Sequence, residues 1–178
     1  MPVQTLTPNA LLDSGNWEPS SEADITSNLS DGDTGTTVIN TSADQNLVLG
    51  FSNLTSDDIS SISQIVLTIG VYQSGKGQAD FTATLELSDG TDVISATSFE
   101  VSSAGTSNEV TATASSLSLS EDNVNGIKIT LTTANETQAV FTDIKIDVTY
   151  SKTSTTGPGG KVQIIYGKVE IQNGKVEL

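Results

Sequence analysis

The chain contains no cysteine, no histidine and no arginine in 178 residues. Without cysteine there is no disulfide, no thiol nucleophile and no thiolate ligand. Without histidine there is no imidazole base, and Met1 is the only soft metal ligand left, so serine–histidine catalysis and ordinary zinc or iron sites are excluded. All seven basic residues are lysines, set against 22 acids for a formal charge of −15. A surface of that sign repels DNA, RNA and anionic lipid, and it offers no guanidinium fork for phosphate or carboxylate. Free nucleic acid and membrane are therefore not expected partners. Aromatic residues make up only 4% of the chain, with one Trp and three Tyr, too few to line a deep aromatic cleft. No segment approaches the ~20 apolar residues of a membrane-spanning helix. The first residues, MPVQTLTPNALLDSGNW, have neither the basic start nor the apolar centre of a secretory leader, so synthesis without export is expected.

What is abundant is Ser and Thr, alternating with Val, Ile, Leu and Phe at the period of a β-strand. Residues 65–72 place Ile65, Leu67, Ile69 and Val71 on one face and Val66, Thr68, Gly70 and Tyr72 on the other. Residues 80–87 turn Phe81, Ala83, Leu85 and Leu87 inward, and Asp89-Gly90 then supplies the positive φ of a tight hairpin that returns along residues 93–101. Residues 126–132 carry Ile127, Ile129 and Leu131 inward and Lys128 outward. In residues 138–150 the inward set changes parity between Phe141 and Ile144, which requires a bulge near Thr142 and Asp143. Short strands are also expected at 36–39 and 46–51, and a single turn of helix at 54–59. Seven or eight such strands, apolar on one face, predict an all-β protein. Its form is a two-sheet antiparallel jelly-roll-like sandwich with a C-terminal β arm.

The sandwich, with an extended N-terminal segment, is expected over residues 1–150. A Gly/Ser/Thr linker follows at 151–160, and the arm occupies 161–178. In the arm Gly167-Lys168-Val169-Glu170 recurs as Gly174-Lys175-Val176-Glu177. Residues 152–178 hold four Lys and two Glu, a net +2, whereas residues 1–151 carry −17. A basic strand pair too short for its own core either completes its own sandwich or pairs with another chain, and docking between chains is the expectation. Val162, Ile164, Tyr166, Val169, Ile171 and Val176 would make its apolar contacts, with Lys161, Lys168 and Lys175 against acidic surface.

No catalytic residue is assigned. The only candidate groups are carboxylates at Asp31 and Asp33, Asp57 and Asp58, and Asp89 and Asp92, all in turn-like sequence that fixes no carboxylate separation. Asp31-Gly32-Asp33-Thr34-Gly35 has the alternating oxygens of a calcium loop, and Asp143 would join it if sheet pairing brought the two together, but the bidentate Glu of the 12-residue loop is missing. The alternative is that Asp31 and Asp33 shape a turn by bonding backbone N–H groups. Trp17 and Tyr72 are the candidate glycan-stacking pair; alternatively Trp17 closes one end of the sandwich beside Leu11 and Leu12. Gly75-Lys76-Gly77 lacks the following Ser or Thr of a phosphate loop, and no cofactor is expected.

Trp17, Ile25, Leu29, the run Asp31-Gly32-Asp33-Thr34, Leu49-Gly50-Phe51, the strand at 62–69 and the last sandwich strand at 144–150 together resemble the jelly-roll structural modules of tailed bacteriophages. These include capsid decoration or cement proteins, tail adaptors and fibre-associated domains. The resemblance covers about residues 10–150. It implies a non-enzymatic virion component assembled in the host cytoplasm, a homo-oligomer such as a trimer, docked on the major capsid protein or another virion protein. The alternative it leaves open is a tail or fibre-associated glycan-binding module.

Overall fold

The computed structural model describes residues 1–19, 24–33, 35–40, 46–56, 58–74, 79–101, 105–133, 139–153, 162–165 and 168–171. The chain opens with β1 (Val3–Leu6), β2 (Pro8–Asp13) and β3 (Trp17–Pro19), followed by α1 (Ile25–Ser30), β4 (Val38–Asn40) and β5 (Asn46–Phe51). Then come β6 (Ile59–Gln73), β7 (Ala79–Glu86), β8 (Asp92–Val101), β9 (Asn108–Leu119), α2 (Glu121–Val124), β10 (Lys128–Thr133) and β11 (Ala139–Lys152). A separate pair, β12 (Val162–Ile165) and β13 (Lys168–Ile171), ends the described chain.

The strands form two antiparallel sheets packed face to face. The first has the order β3-β4-β11-β6-β9, with β1 on the β4 side of β11; the second has the order β2-β5-β10-β7-β8. Alternation decides which side chains meet between them. Ile65, Leu67, Ile69 and Val71 of β6 and Ile144, Ile146 and Val148 of β11 face Leu47, Leu49 and Phe51 of β5, Ile129 and Leu131 of β10, and Phe81, Ala83 and Leu85 of β7; all are buried. Each large aliphatic or aromatic side chain removed from water in this way contributes about 1.5–3 kcal/mol. The expected jelly-roll-like sandwich is the observed fold.

The parity change in the last sandwich strand is a bulge. The register of β11 against β6 runs Phe141↔Val71 and then Asp143↔Gly70, leaving Thr142 as the extra residue. Gly70 makes this possible: a Cβ there would lie 2.5 Å from the Thr142 hydroxyl and 3.3 Å from the Asp143 backbone nitrogen. Thr142 is fully buried and its hydroxyl shares a 2.9 Å hydrogen bond with that of Ser107. The β7–β8 hairpin also follows its sequence, with Gly90 at φ 87°, its N–H on Leu87 O, and the Asp89 carboxylate accepting from Thr91 N at 2.9 Å.

Among the described residues of 54–59 there is no helix. Asp58 has φ 65°, a left-handed conformation that no helix interior accepts, and Ile59 already begins β6. The helical turns lie elsewhere and are set by their caps. The Asp24 carboxylate accepts from Ser27 N at the start of α1, and Ser120 and Asn123 form a reciprocal capping box on α2. α1 buries Ile25, Asn28 and Leu29. The strands β1, β2, β3 and β9 add to those expected from alternation.

The last sandwich strand continues to Lys152, two residues beyond the expected domain end. β12 and β13 pair antiparallel, Val162↔Ile171 through Ile165↔Lys168, as a two-stranded sheet distinct from the two of the sandwich. Tyr166, Lys175 and Val176 lie outside the described residues, as do Thr34, Asp57 and the Gly75-Lys76-Gly77 turn.

Candidate functional site

The outer face of the first sheet is assembled from residues of the opposite parity to the core. On β6 these are Val66, Thr68, Gly70 and Tyr72. Register places Lys145 of β11 and Thr111 of β9 beside Thr68, Asp143 and Glu109 beside Gly70, and Val140 beside Tyr72, with Ile39 of β4 next to Val140. Of the described aromatic residues, Trp17, Phe51, Phe81, Phe141 and Tyr150 belong to the buried core and Phe99 packs against it; Tyr72 does neither and is half-buried on this face.

Next to Tyr72 along β6, Gly70 projects no side chain, and charged groups flank it on both neighbouring strands. Lys145 Nζ donates to Glu109 Oε1 at 3.2 Å and lies 3.8 Å from Asp143 Oδ2. The pair joins β11 to β9 across the intervening β6. Burial pushes the Asp143 carboxyl above the usual carboxylate range, against the pull of Lys145, and the charges of Glu109 and Asp31 add to the rise. The hydrogen bond to Glu109 raises Lys145 above the usual lysine value.

These shifts carry a pH signature. A native carboxyl with a raised pKa binds its proton more readily than the unfolded chain does. Stability therefore falls as pH rises from the ordinary Asp value through the raised one. Asp143→Asn should remove that fall, and melting temperatures recorded between pH 3 and pH 7 should show the variant losing less stability over this range than the parent. Equal slopes for the two proteins would contradict the burial of the charge.

The sequence-derived candidates fare differently. Trp17 is only 4% exposed, its ring centroid is 5.1 Å from that of Phe141, and its indole nitrogen is buried without a hydrogen-bond partner. It is a core residue held by packing and has no open face for a sugar, so it does not form the stacking pair with Tyr72 that the sequence suggested. Trp17 enters the core because β3 pairs with β4 and turns its face inward. Leu11 and Leu12 are exposed on β2, in the other sheet.

The calcium expectation also changes. Asp31 Oδ1 accepts from Asp33 N at 2.8 Å, its Oδ2 accepts from the Thr36 hydroxyl at 2.7 Å, and Asp33 Oδ1 accepts from Gly35 N at 2.8 Å. The two acids shape a turn. The Asp31 charge adds slightly to the rise at Asp143, but among the described residues no three carboxylates gather to hold a metal. Asp89 is likewise engaged by Thr91, and its carboxyl is held below the usual range by that bond. Lys145, Glu109 and Gly70 emerge as site residues only once β9 is in place beside β6. The sequence signal for β9 is the alternation of Val110, Ala112 and Ala114 with Thr111, Thr113 and Ser115.

No family model matches the sequence, and no curated protein is similar to it. Among solved structures the chain is similar to the C-terminal CBM6 of LamC, a marine laminarinase from Zobellia galactanivorans, at 14% identity and a TM-score of 0.47, over 83% of this chain and 99% of that one. It is also similar to a family 35 carbohydrate binding module from Clostridium thermocellum, at 17% identity and a TM-score of 0.47, over 74% and 87%. A third is an exo-beta-1,3-galactanase from Phanerochaete chrysosporium, at 14% identity and a TM-score of 0.49, over 83% of this chain but only 29% of the enzyme. What is shared is the sandwich.

These findings correct the phage expectation. The three similar structures named above are two carbohydrate-binding modules and a glycan-degrading enzyme, and none of the three is a virion, capsid decoration or cement protein of a bacteriophage. The residues that prompted the resemblance explain why it arose: Trp17, Ile25, Leu29, Leu49, Phe51, Ile65, Leu67 and Ile69 are buried core positions of a jelly-roll sandwich and carry no information about where it is used.

Proposed function

We propose that the protein is a non-catalytic carbohydrate-binding module that takes its ligand on the outer face of the first sheet. The observation that supports this is the position of Tyr72, the one described aromatic outside the core and its packing shell, beside a group of donors and acceptors on the same face. A sugar ring presents an apolar face to an aromatic ring and hydroxyls around its edge. Tyr72 supplies the ring. Glu109 and Asp143 accept from hydroxyls, Lys145 donates to them, and Gly70, with the Thr142 hydroxyl filling the space beside it, separates ring and charges. The rest of the composition agrees with a neutral ligand: a surface with no arginine and a charge of −15 disfavours phosphate, sulfate and uronate groups.

The test is binding to a panel of neutral and acidic polysaccharides by affinity electrophoresis, followed by calorimetry on the oligosaccharides of any that retard the protein. Tyr72→Ala should weaken binding about tenfold, the equivalent of ~1.4 kcal/mol, while its circular dichroism and melting temperature stay those of the parent. Retardation by none of the neutral glycans, or full affinity in the Tyr72 variant, would defeat the proposal.

A further inference from the structure

We infer that the C-terminal hairpin of one copy adds by backbone pairing to the free edge of β9 in a second copy. β9 has β6 as its only strand partner among the described residues, so its outer edge offers unpaired N–H and C=O groups. Three of the other sandwich edges, β2, β3 and β8, are protected in ways known to block strand addition. β3 has three residues, one of them Pro19. β2 begins with Pro8, ends with Asp13 and breaks register twice against β5. β8 carries Asp92 and Glu100 and breaks register twice against β7. β9 has none of these devices over most of its length. Ser115 to Asn108 pair with Gln64 to Val71 in unbroken register, no charge or proline occurs from Val110 to Leu119, and the first irregularity is Ser116 at φ 59°.

The hairpin is the matching element. β12 and β13 are four residues each and pair only with one another among the described strands, whereas isolated two-stranded ribbons are marginal in water. Among the described strands of one chain, neither the β9 edge nor the outer edges of the hairpin are satisfied by the other. Charge is complementary between the two elements: residues 152–178 are net +2 and residues 1–151 net −17, so a hairpin is drawn to a sandwich, and the hairpin's own sandwich does not pair with it among the described strands. Nine residues separate β11 from β12, a reach of about 30 Å when extended.

The absence of native cysteine allows a clean experiment. Full-length chains with the single substitutions Thr113→Cys and Val169→Cys are prepared separately, mixed, oxidised and run without reductant. A neighbouring pair, Thr111→Cys with Ile164→Cys, covers an alternative register. The expected result is a mixed-chain dimer band for at least one pair. In parallel, sedimentation velocity of the full chain should show association that Val169→Pro, in a strand that belongs to neither sandwich sheet, weakens about tenfold or more. A parent that sediments as a monomer, association unchanged by Val169→Pro, or crosslinks that form only within one chain when both cysteines are placed together would overturn the inference. The glycan titration is unaffected by any of these results.

Discussion

Phe141→Ala should cost about 3–5 kcal/mol, the range for truncating a fully buried aromatic residue, and lower the melting temperature more than Gly70→Ala or Asp143→Asn does. Phe141 is fully buried on the core face of β11, with the Trp17 ring 5.1 Å away at 38° and the Phe81 ring 5.0 Å away edge-on. Phe81 in turn stacks on Phe99 at 5.1 Å. The four rings link β3, β11, β7 and β8, so the deletion opens a void between the two sheets instead of at one edge. Since domains of this kind are stable by about 5–15 kcal/mol in total, the variant should be marginal. Chemical denaturation of parent and variant measures the difference. A loss below ~1 kcal/mol would mean that the rings do not pack as described.

The second large effect belongs to the bulge. Gly70→Ala places a methyl 2.5 Å from the Thr142 hydroxyl, and the Asp143 backbone at 3.3 Å gives it nowhere to go. Overpacking of this kind costs about 1–3 kcal/mol, and for a domain of this size each kcal/mol lowers Tm by roughly 2–4 °C. A double-mutant cycle separates the clash from the general cost of adding a side chain within a strand. Thr142→Ala removes the hydroxyl, so the pair Gly70→Ala with Thr142→Ala should recover part of the loss, with a coupling of about 0.5–3 kcal/mol. Strict additivity would show that Thr142 does not occupy the space beside Gly70. Because Gly70 also lies between Tyr72 and the charged group, the single variant should weaken glycan binding as well.

Much of the fold is legible in the sequence because the core strands alternate cleanly. Ile65 to Tyr72 and Phe81 to Leu87 show their inward and outward sets directly, and the shift between Phe141 and Ile144 marks the bulge. The Lys128–Glu86 ion pair, 2.7 Å long on the outer face of the second sheet, follows from the same parity. Edge and terminal strands are hidden for physical reasons. β9 carries Ala, Ser and Thr where a central strand carries Ile and Leu, since one side of an edge strand has no neighbour to pack against. β1 and β2 are pinned by long-range partners, Thr5↔Asp147 and Leu11↔Leu49, that local pattern does not disclose. Residues 54–59 imitate a helix start because Asp and Ser suit a left-handed turn as well as a cap.

The candidate site is half visible in the same way. Tyr72 stands out by its outward position, but Lys145, Glu109 and Asp143 come from two strands whose pairing with β6 only the fold establishes. Trp17 illustrates the opposite error. A lone tryptophan near the N-terminus resembles a surface platform until β3 is seen to tuck it against Phe141.

Isotope-labelled protein titrated with an oligosaccharide of the best-retained glycan, and followed by amide chemical shifts, tests the proposed binding face most directly. Saturable shifts clustered on Gly70, Tyr72, Glu109, Asp143 and Lys145, with the second sheet unmoved, are the expected result. Shifts centred on β5, β10 or β7, or none at saturating ligand, would contradict it.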